Sequence, residues 1–306
     1  MKIGYIKGWN NKKELLTQKQ LEFPVWIQKI LIQIKKVLGI SNIIVLEDRV
    51  INIIPIEEDG KISKKQIKKS IKQMERQEKI KDVVVSKKIA KENEIIEIIQ
   101  KNYNNVLDGT WLWDYLIIDA IKYICEKKKI HVEKQEISIA VKQNSEINTQ
   151  NIINIAKHVK FVNIITPYIE KFKNLEEYLY TTYGIVIRIT NSKKSAEKSN
   201  IIVNLDFTEE EINLYKIPEK AVVLNRKKNI KIKAKKFAGI NCSFFKIKWN
   251  EKNICELKEY TIYHSFDECA LYESTIYRSD SYKNIREQIK KDKVEIVRTY
   301  WKKWYN

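Results

Sequence analysis

Glycine is scarce: the 306 residues contain seven, at Gly4, Gly8, Gly39, Gly60, Gly109, Gly184 and Gly239, and no two lie closer than four apart. That is about a third of the usual share. The spacing excludes a P-loop and a G-x-G-x-x-G turn, the commonest backbone cradles for phosphate. The four cysteines, Cys125, Cys242, Cys255 and Cys269, form no C-x-x-C pair and read as buried, reduced thiols. Histidine is limited to His131, His158 and His264. Cys255, His264 and Cys269 have spacings that match no common zinc site, so no metal is expected. No uncharged stretch approaches the roughly 20 apolar residues needed to span a bilayer, and Met1–Trp9 has no signal-peptide run. A cytoplasmic protein without a membrane span is the expectation.

Acidic residues are also outnumbered, at 39 against 58 basic ones, for a net charge of +19. Such a field attracts polyanions in a salt-dependent way. Lysine supplies 51 of those cations and arginine only 7. Arginine is the residue suited to bidentate base and phosphate contacts, so the charge is expected to act as nonspecific attraction. Hydrophobic residues make up 43% of the chain, enough for substantial cores.

From Glu136 to Asn225 the pattern alternates. Ile137–Val141 is a short apolar run, followed by the polar loop Lys142 to Glu146 and by Ile152, Ile155, Ala156 and Val159 at helical spacing. Phe161–Ile165 is the next β-branched run, closed by Thr166 and Pro167. Tyr168, Phe172, Leu175, Leu179 and Tyr183 then mark a helix that stops at Gly184. Ile185–Ile189, Ile201–Leu205 and Ala221–Leu224 complete the strands. Doubly buried runs with helices between them indicate a parallel sheet with right-handed crossovers.

On this periodicity, over about a third of the chain, the segment resembles the Rossmann-like domains, in particular their glycine-poor, degenerate form. In such a sheet ligands collect beyond the carboxyl ends of the strands, where strand order reverses. The candidate wall for a nucleotide cofactor, NAD or NADP, or another small ligand is therefore Lys142, Gln143, Asn144 and Ser145, with Thr166, Asn204 and Asp206. Asp206 has the chemistry to bind a sugar hydroxyl or act as a base, and Asp206 or Thr208 to cap the helix Glu209–Leu214, Thr208 and Glu211 having capping-box spacing. No catalytic residue is assigned.

The fold class is thus α/β, with a Rossmann-like, mostly parallel sheet in the middle to C-terminal half. An N-terminal mixed α/β region precedes it, and antiparallel additions follow at Ser243–Trp249 and Cys255–Tyr263. The expected domains are residues 1–130 and 131–306. In the first, Ile27, Ile30, Leu31, Ile34, Val37 and Leu38 form a helical stripe ending at Gly39, Ile43–Leu46 and Val50–Ile56 read as a hairpin, and Ser63 with Gln66 reads as a capping box. Ile230–Lys236 is strand-like. The most apolar helix, Asp108–Ile124, carries Asp114 and Asp119 about 140° apart, too far round the helix for a catalytic pair. The tail interleaves Trp301 and Trp304 with Lys302 and Lys303, read as packing onto the preceding helix. Three functions fit these features: a binding or regulatory module without catalysis, an NAD(P)-dependent oxidoreductase relative, and a basic nucleic-acid-associated protein.

Overall fold

The computed structural model describes residues 2–9, 11–57, 62–76, 79–227, 230–233, 236–250, 265–276 and 281–301. They fall into two compact units, one from 1–109 and 251–278, the other from 110–250 and 279–306. The expected strand Cys255–Tyr263, with Cys255 and His264, lies outside the described residues, as does the tail beyond Trp301.

Among the described residues the first unit holds a five-stranded sheet built from β1 (Lys2–Trp9), β2 (Asn42–Val45), β3 (Arg49–Glu57), β4 (Ile80–Val85) and β5 (Asn105–Leu107) in the order β2-β3-β1-β4-β5. β2 and β3 form the expected antiparallel hairpin, and the other pairs are parallel. Helices α1 (Gln18–Leu21), α2 (Val25–Leu38), α3 (Lys64–Glu75) and α4 (Asn93–Gln100) connect the strands. Ile67, Ile71 and Met74 of α3 and Ile95 and Ile99 of α4 bury against Ile6, Val50, Ile54 and Val83. The Ser63 side chain makes no capping bond. Elsewhere in the unit Tyr5 stands edge-on to Phe266 and bonds Ser274 at 2.9 Å. Lys7, fully buried, sets its ammonium 2.8 Å from the Glu14 carboxylate.

Helix α2 ends at Gly39 in the left-handed conformation, as the sequence predicts, but its apolar stripe faces outward. Its buried positions are Gln28, Ile32 and Lys35. The Gln28 amide donates to the carbonyls of Leu21 and Phe23, both at 2.8 Å, and the Lys35 ammonium to Leu15 at 2.6 Å. These three carbonyls lie outside regular ladders, so the helix is seated by polar bonds while Trp26, Ile30, Ile34, Val37 and Leu38 remain exposed.

The second unit opens with α5 (Thr110–Lys127), buried around most of its circumference. It packs on α6 (Glu146–Ala156) and on the last two strands, so the division between units falls at 109/110, ahead of the boundary read at 130. The sheet comprises β6 (Glu136–Ala140), β7 (Phe161–Ile165), β8 (Ile187–Thr190), β9 (Ile201–Asn204), β10 (Val222–Asn225), β11 (Ile240–Lys248) and β12 (Glu295–Trp301), with α7 (Lys173–Tyr183) and α8 (Glu209–Ile212) among the connections. Its order is β12-β11-β10-β9-β6-β7-β8. Counted from β6, the six parallel strands run 3-2-1-4-5-6, the Rossmann order.

Two further details, both after β10, differ from the sequence reading. β11 pairs parallel with β10 and antiparallel only with β12; a strand's pattern records burial, and pairing direction depends on where the chain re-enters the sheet. Ile230–Lys233 forms no strand; the backbone N–H groups of Lys231 and Lys233 donate instead to the half-buried side chains of Glu209 and Asn213.

β11 enters beside β10 through a close approach at Gly239. A Cβ added there would lie 2.0 Å from the Ala221 carbonyl oxygen, which accepts the Ile240 N–H at 2.9 Å. Gly239→Ala is therefore expected to cost about 3 kcal/mol or more in urea unfolding. A variant as stable as the parent would contradict this register.

Candidate functional site

Strand order reverses between β6 and β9, which pair in parallel from Ile137↔Ile201 to Ala140↔Asn204. Beyond their carboxyl ends the structure brings three of the sequence-identified residues together. The Asp206 carboxylate accepts the backbone N–H of Lys142 at 2.6 Å through Oδ1 and that of Gln143 at 2.8 Å through Oδ2. One side chain from the β9 end thus satisfies two consecutive amides after β6. Beside it the Lys142 ammonium meets both carboxylate oxygens of Glu211, at 2.7 and 2.8 Å. Thr208, not Asp206, caps α8, in a reciprocal capping box with Glu211. Partial burial works against ionisation of Glu211, and the bonds from Lys142 and Thr208 outweigh it, holding the carboxyl below the usual carboxylate range.

The rest of the turn is also internally bonded. Ser145 caps α6 by accepting the Asn148 N–H. The Asn148 amide donates to the Gln143 carbonyl at 2.8 Å. Asn144 donates to the Lys171 carbonyl and accepts from the Thr149 hydroxyl, both at 2.7 Å. Thr166 is fully buried, its Oγ1 accepting the Tyr168 N–H at 3.1 Å. Asn204 is buried in a ladder: its amide donates to Asn225 at 2.9 Å, Asn225 to Asn241 at 2.6 Å, and Asn241 to the Ile230 carbonyl at 2.7 Å. Thr166 and Asn204 therefore serve strand ends. At the same edge the exposed Tyr168 ring carries the Lys171 ammonium 4.2 Å from its centroid.

Sequence reasoning missed a polar cluster around α5 and α6, because its members are far apart in the chain. Asp114 pairs with Arg226, just past β10, and Asp119 with Arg286 of the helix Tyr282–Lys291. The Tyr282 hydroxyl donates to Asn151 at 3.2 Å and accepts from Asn154 at 3.3 Å, and its ring stacks on Tyr115 at 5.1 Å. Burial pushes the Tyr282 hydroxyl above its ordinary range. Burial also pushes the Asp114 carboxyl up to about 7, against the pull of Arg226. The one available signal was compositional, since two aspartates on the most apolar helix demand partners. His158 bonds the Asn154 carbonyl at 2.7 Å through Nδ1, a helix-terminal role. Among the described residues no group of three His, Cys, Asp or Glu side chains is placed to hold a metal, and no helix is long and apolar enough to cross a membrane.

No protein-family model and no curated protein matches the chain. Among solved structures it is similar to a shikimate dehydrogenase in complex with NADP+, at 13% identity over 95% of each chain and a TM-score of 0.36. L-tryptophan dehydrogenase from Nostoc punctiforme is similar at 8% identity, over 94% of this chain and 78% of that one, with a TM-score of 0.36. The Thermococcus litoralis Delta(1)-pyrroline-2-carboxylate reductase, solved with NADH and L-proline, is 12% identical with a TM-score of 0.24; the match covers 31% of this chain and spans only 30% of that enzyme's length. At these scores the likenesses carry no argument about activity.

Two outcomes follow from the site's bonds. Asp206→Ala strands two amides and removes two charge-assisted bonds, so it is expected to cost about 2–4 kcal/mol in urea unfolding; no loss would mean the clamp does not form. For Asp114, the folded carboxyl keeps its proton up to about pH 7, whereas the unfolded chain releases it near pH 4. Stability from this group is therefore present in acid and declines as pH rises from about 4 to 7, by on the order of 1–4 kcal/mol. Asp114→Asn should flatten that decline in melting temperature across the window, and an unchanged slope would assign it to other groups.

Proposed function

We propose that this chain is a binding or regulatory module on a degenerate Rossmann-like domain, and that the carboxyl edge of its second sheet performs no dinucleotide chemistry. The observation that carries this reading is the Asp206 clamp. Where a nucleotide-binding fold offers backbone amides to a phosphate at the start of the first helix, this chain supplies its own carboxylate. An incoming pyrophosphate would have to displace that anion and would meet Glu211 beside it. The scarcity of glycine points the same way, since side chains on Lys142 to Ser145 keep a ligand away from the backbone.

A second reading, an NAD(P)-dependent oxidoreductase relative, draws on the strand order and on the exposed Tyr168–Lys171 pair, a surface on which a base could stack near an ammonium. Thermal melting of the full chain with NAD, NADP, ATP, S-adenosylmethionine or a short DNA, at low and moderate salt, separates the readings. The module reading expects no salt-resistant shift with any nucleotide. Salt-resistant stabilisation by NAD or NADP, which at a hundredfold excess over Kd amounts to about 2.7 kcal/mol, would establish the second reading and overturn the first. A shift with DNA that disappears with salt would report the lysine field alone.

A further inference from the structure

The outward face of α2 is the feature that the fold leaves unused. Exposure is 64% at Trp26, 50% at Ile30, 45% at Ile34, 76% at Val37 and 52% at Leu38. Leu21, Phe23 and Val25 extend the exposed apolar surface through the turn that leads into the helix. At 100° per residue Trp26, Val37, Ile30, Ile34 and Leu38 lie within an arc of about 120°, and the 14-residue helix runs for about 21 Å. Monomer surfaces seldom keep a continuous apolar strip of this kind without a use for it. The strip is not a core face left bare by loose packing, because Gln28, Ile32 and Lys35 already seat the helix on its other side.

Charge selects the occupant. From Leu21 to Leu38 the charged residues are Glu22, Lys29, Lys35 and Lys36, a net cationic set in which Lys35 is turned inward onto the Leu15 carbonyl. Lys29 and Lys36 lie about 100° and 120° from Ile30, on one margin of the strip; Lys29 is exposed, and the half-buried Lys36 holds its ammonium 4.9 Å from the centroid of the Trp9 ring. A second copy would set lysine margins of like sign together within two molecules that each carry +19. The strip is a ridge with cations along one side and the protein body along the other. A fluid anionic surface conforms to such a ridge, takes indole and aliphatic side chains to the depth of the headgroups, and pairs the exposed Lys29 with lipid phosphates and carboxylates. We propose that α2, with Leu21 and Phe23, is the contact by which this protein docks on an anionic lipid bilayer from one side, without crossing it.

The test is flotation of the full chain with vesicles of phosphatidylcholine alone or mixed with phosphatidylserine. The parent protein is expected to float with the mixed vesicles and only weakly with the neutral ones. The triple variant Trp26→Ser, Ile30→Ser, Val37→Ser changes exposed side chains, so its circular dichroism and melting should match the parent while vesicle affinity drops roughly tenfold or more. Lys29→Gln should weaken binding less and reduce its dependence on salt. The proposal is overturned if the parent does not float, or if the folded triple variant floats as well as the parent, since general lysine attraction would then account for binding. It is also overturned if sedimentation shows a dimer that the triple variant abolishes, which would make a second copy the occupant.

Discussion

The carboxylate of Asp206 joins the two halves of the second sheet at the place where strand order reverses. β6 sends its chain one way to α6 and β7 while the parallel β9 leaves on its other side, and past the Leu205 N–H bond to the Ala140 carbonyl the two chains part. Two consecutive amides point into that opening. In a glycine-rich turn they would be left for a ligand, and in this chain a residue two positions past β9 takes both. Leu205 bonding back to Ala140 at 3.0 Å, and Arg226 to Asn204 at the same distance, depend on the strand ends being held in this alignment. The Lys142–Glu211 pair then ties α8 to the turn.

The same economy of backbone satisfaction extends into the sheet. Ser138 in β6 bonds Ser199 at 2.7 Å, Asn163 in β7 bonds Ser138 and the Ser195 carbonyl at 3.1 and 3.0 Å, and Arg188 in β8 bonds Asn163 at 2.9 Å. Central strands of a parallel sheet are usually continuous apolar runs. Here a polar residue at the middle of three neighbouring strands fastens the long polar connection 191–200 over the sheet. Buried amides and hydroxyls hold a single arrangement because every departure leaves a donor or acceptor unmade.

Much of the architecture was legible. Runs such as Ala221–Leu224 are apolar because both sheet faces are covered, and Gly184 and Gly39 end helices where only a residue tolerant of positive φ fits. The capping box of Thr208 and Glu211 was readable because its partners are three residues apart. Asp206 was identifiable as a site residue but not as a clamp, for its partners lie 63 and 64 positions away and nothing local encodes that distance. The α2 stripe shows the converse: periodicity identifies which residues share a face, and it does not say whether the fold or something outside it covers that face. Ser63 with Gln66 has the letters of a cap without the bond, since spacing permits a capping box and local geometry decides whether it closes. The direction of β11 was hidden for a related reason: it has one parallel and one antiparallel neighbour, and its residue pattern records burial, not the direction of either partner.

The asparagine ladder has a consequence for chemical ageing. An asparagine deamidates when the backbone nitrogen of the following residue turns on the side-chain carbonyl and expels ammonia. After Asn204 that nitrogen belongs to Leu205 and is bonded to the Ala140 carbonyl; after Asn225 it belongs to Arg226 and is bonded to the Asn204 carbonyl. The sheet bonds that align the ladder thus also keep its attacking nitrogens occupied. In the folded protein these two asparagines are shielded from their own backbone, and only excursions that open the strand ends expose them to it.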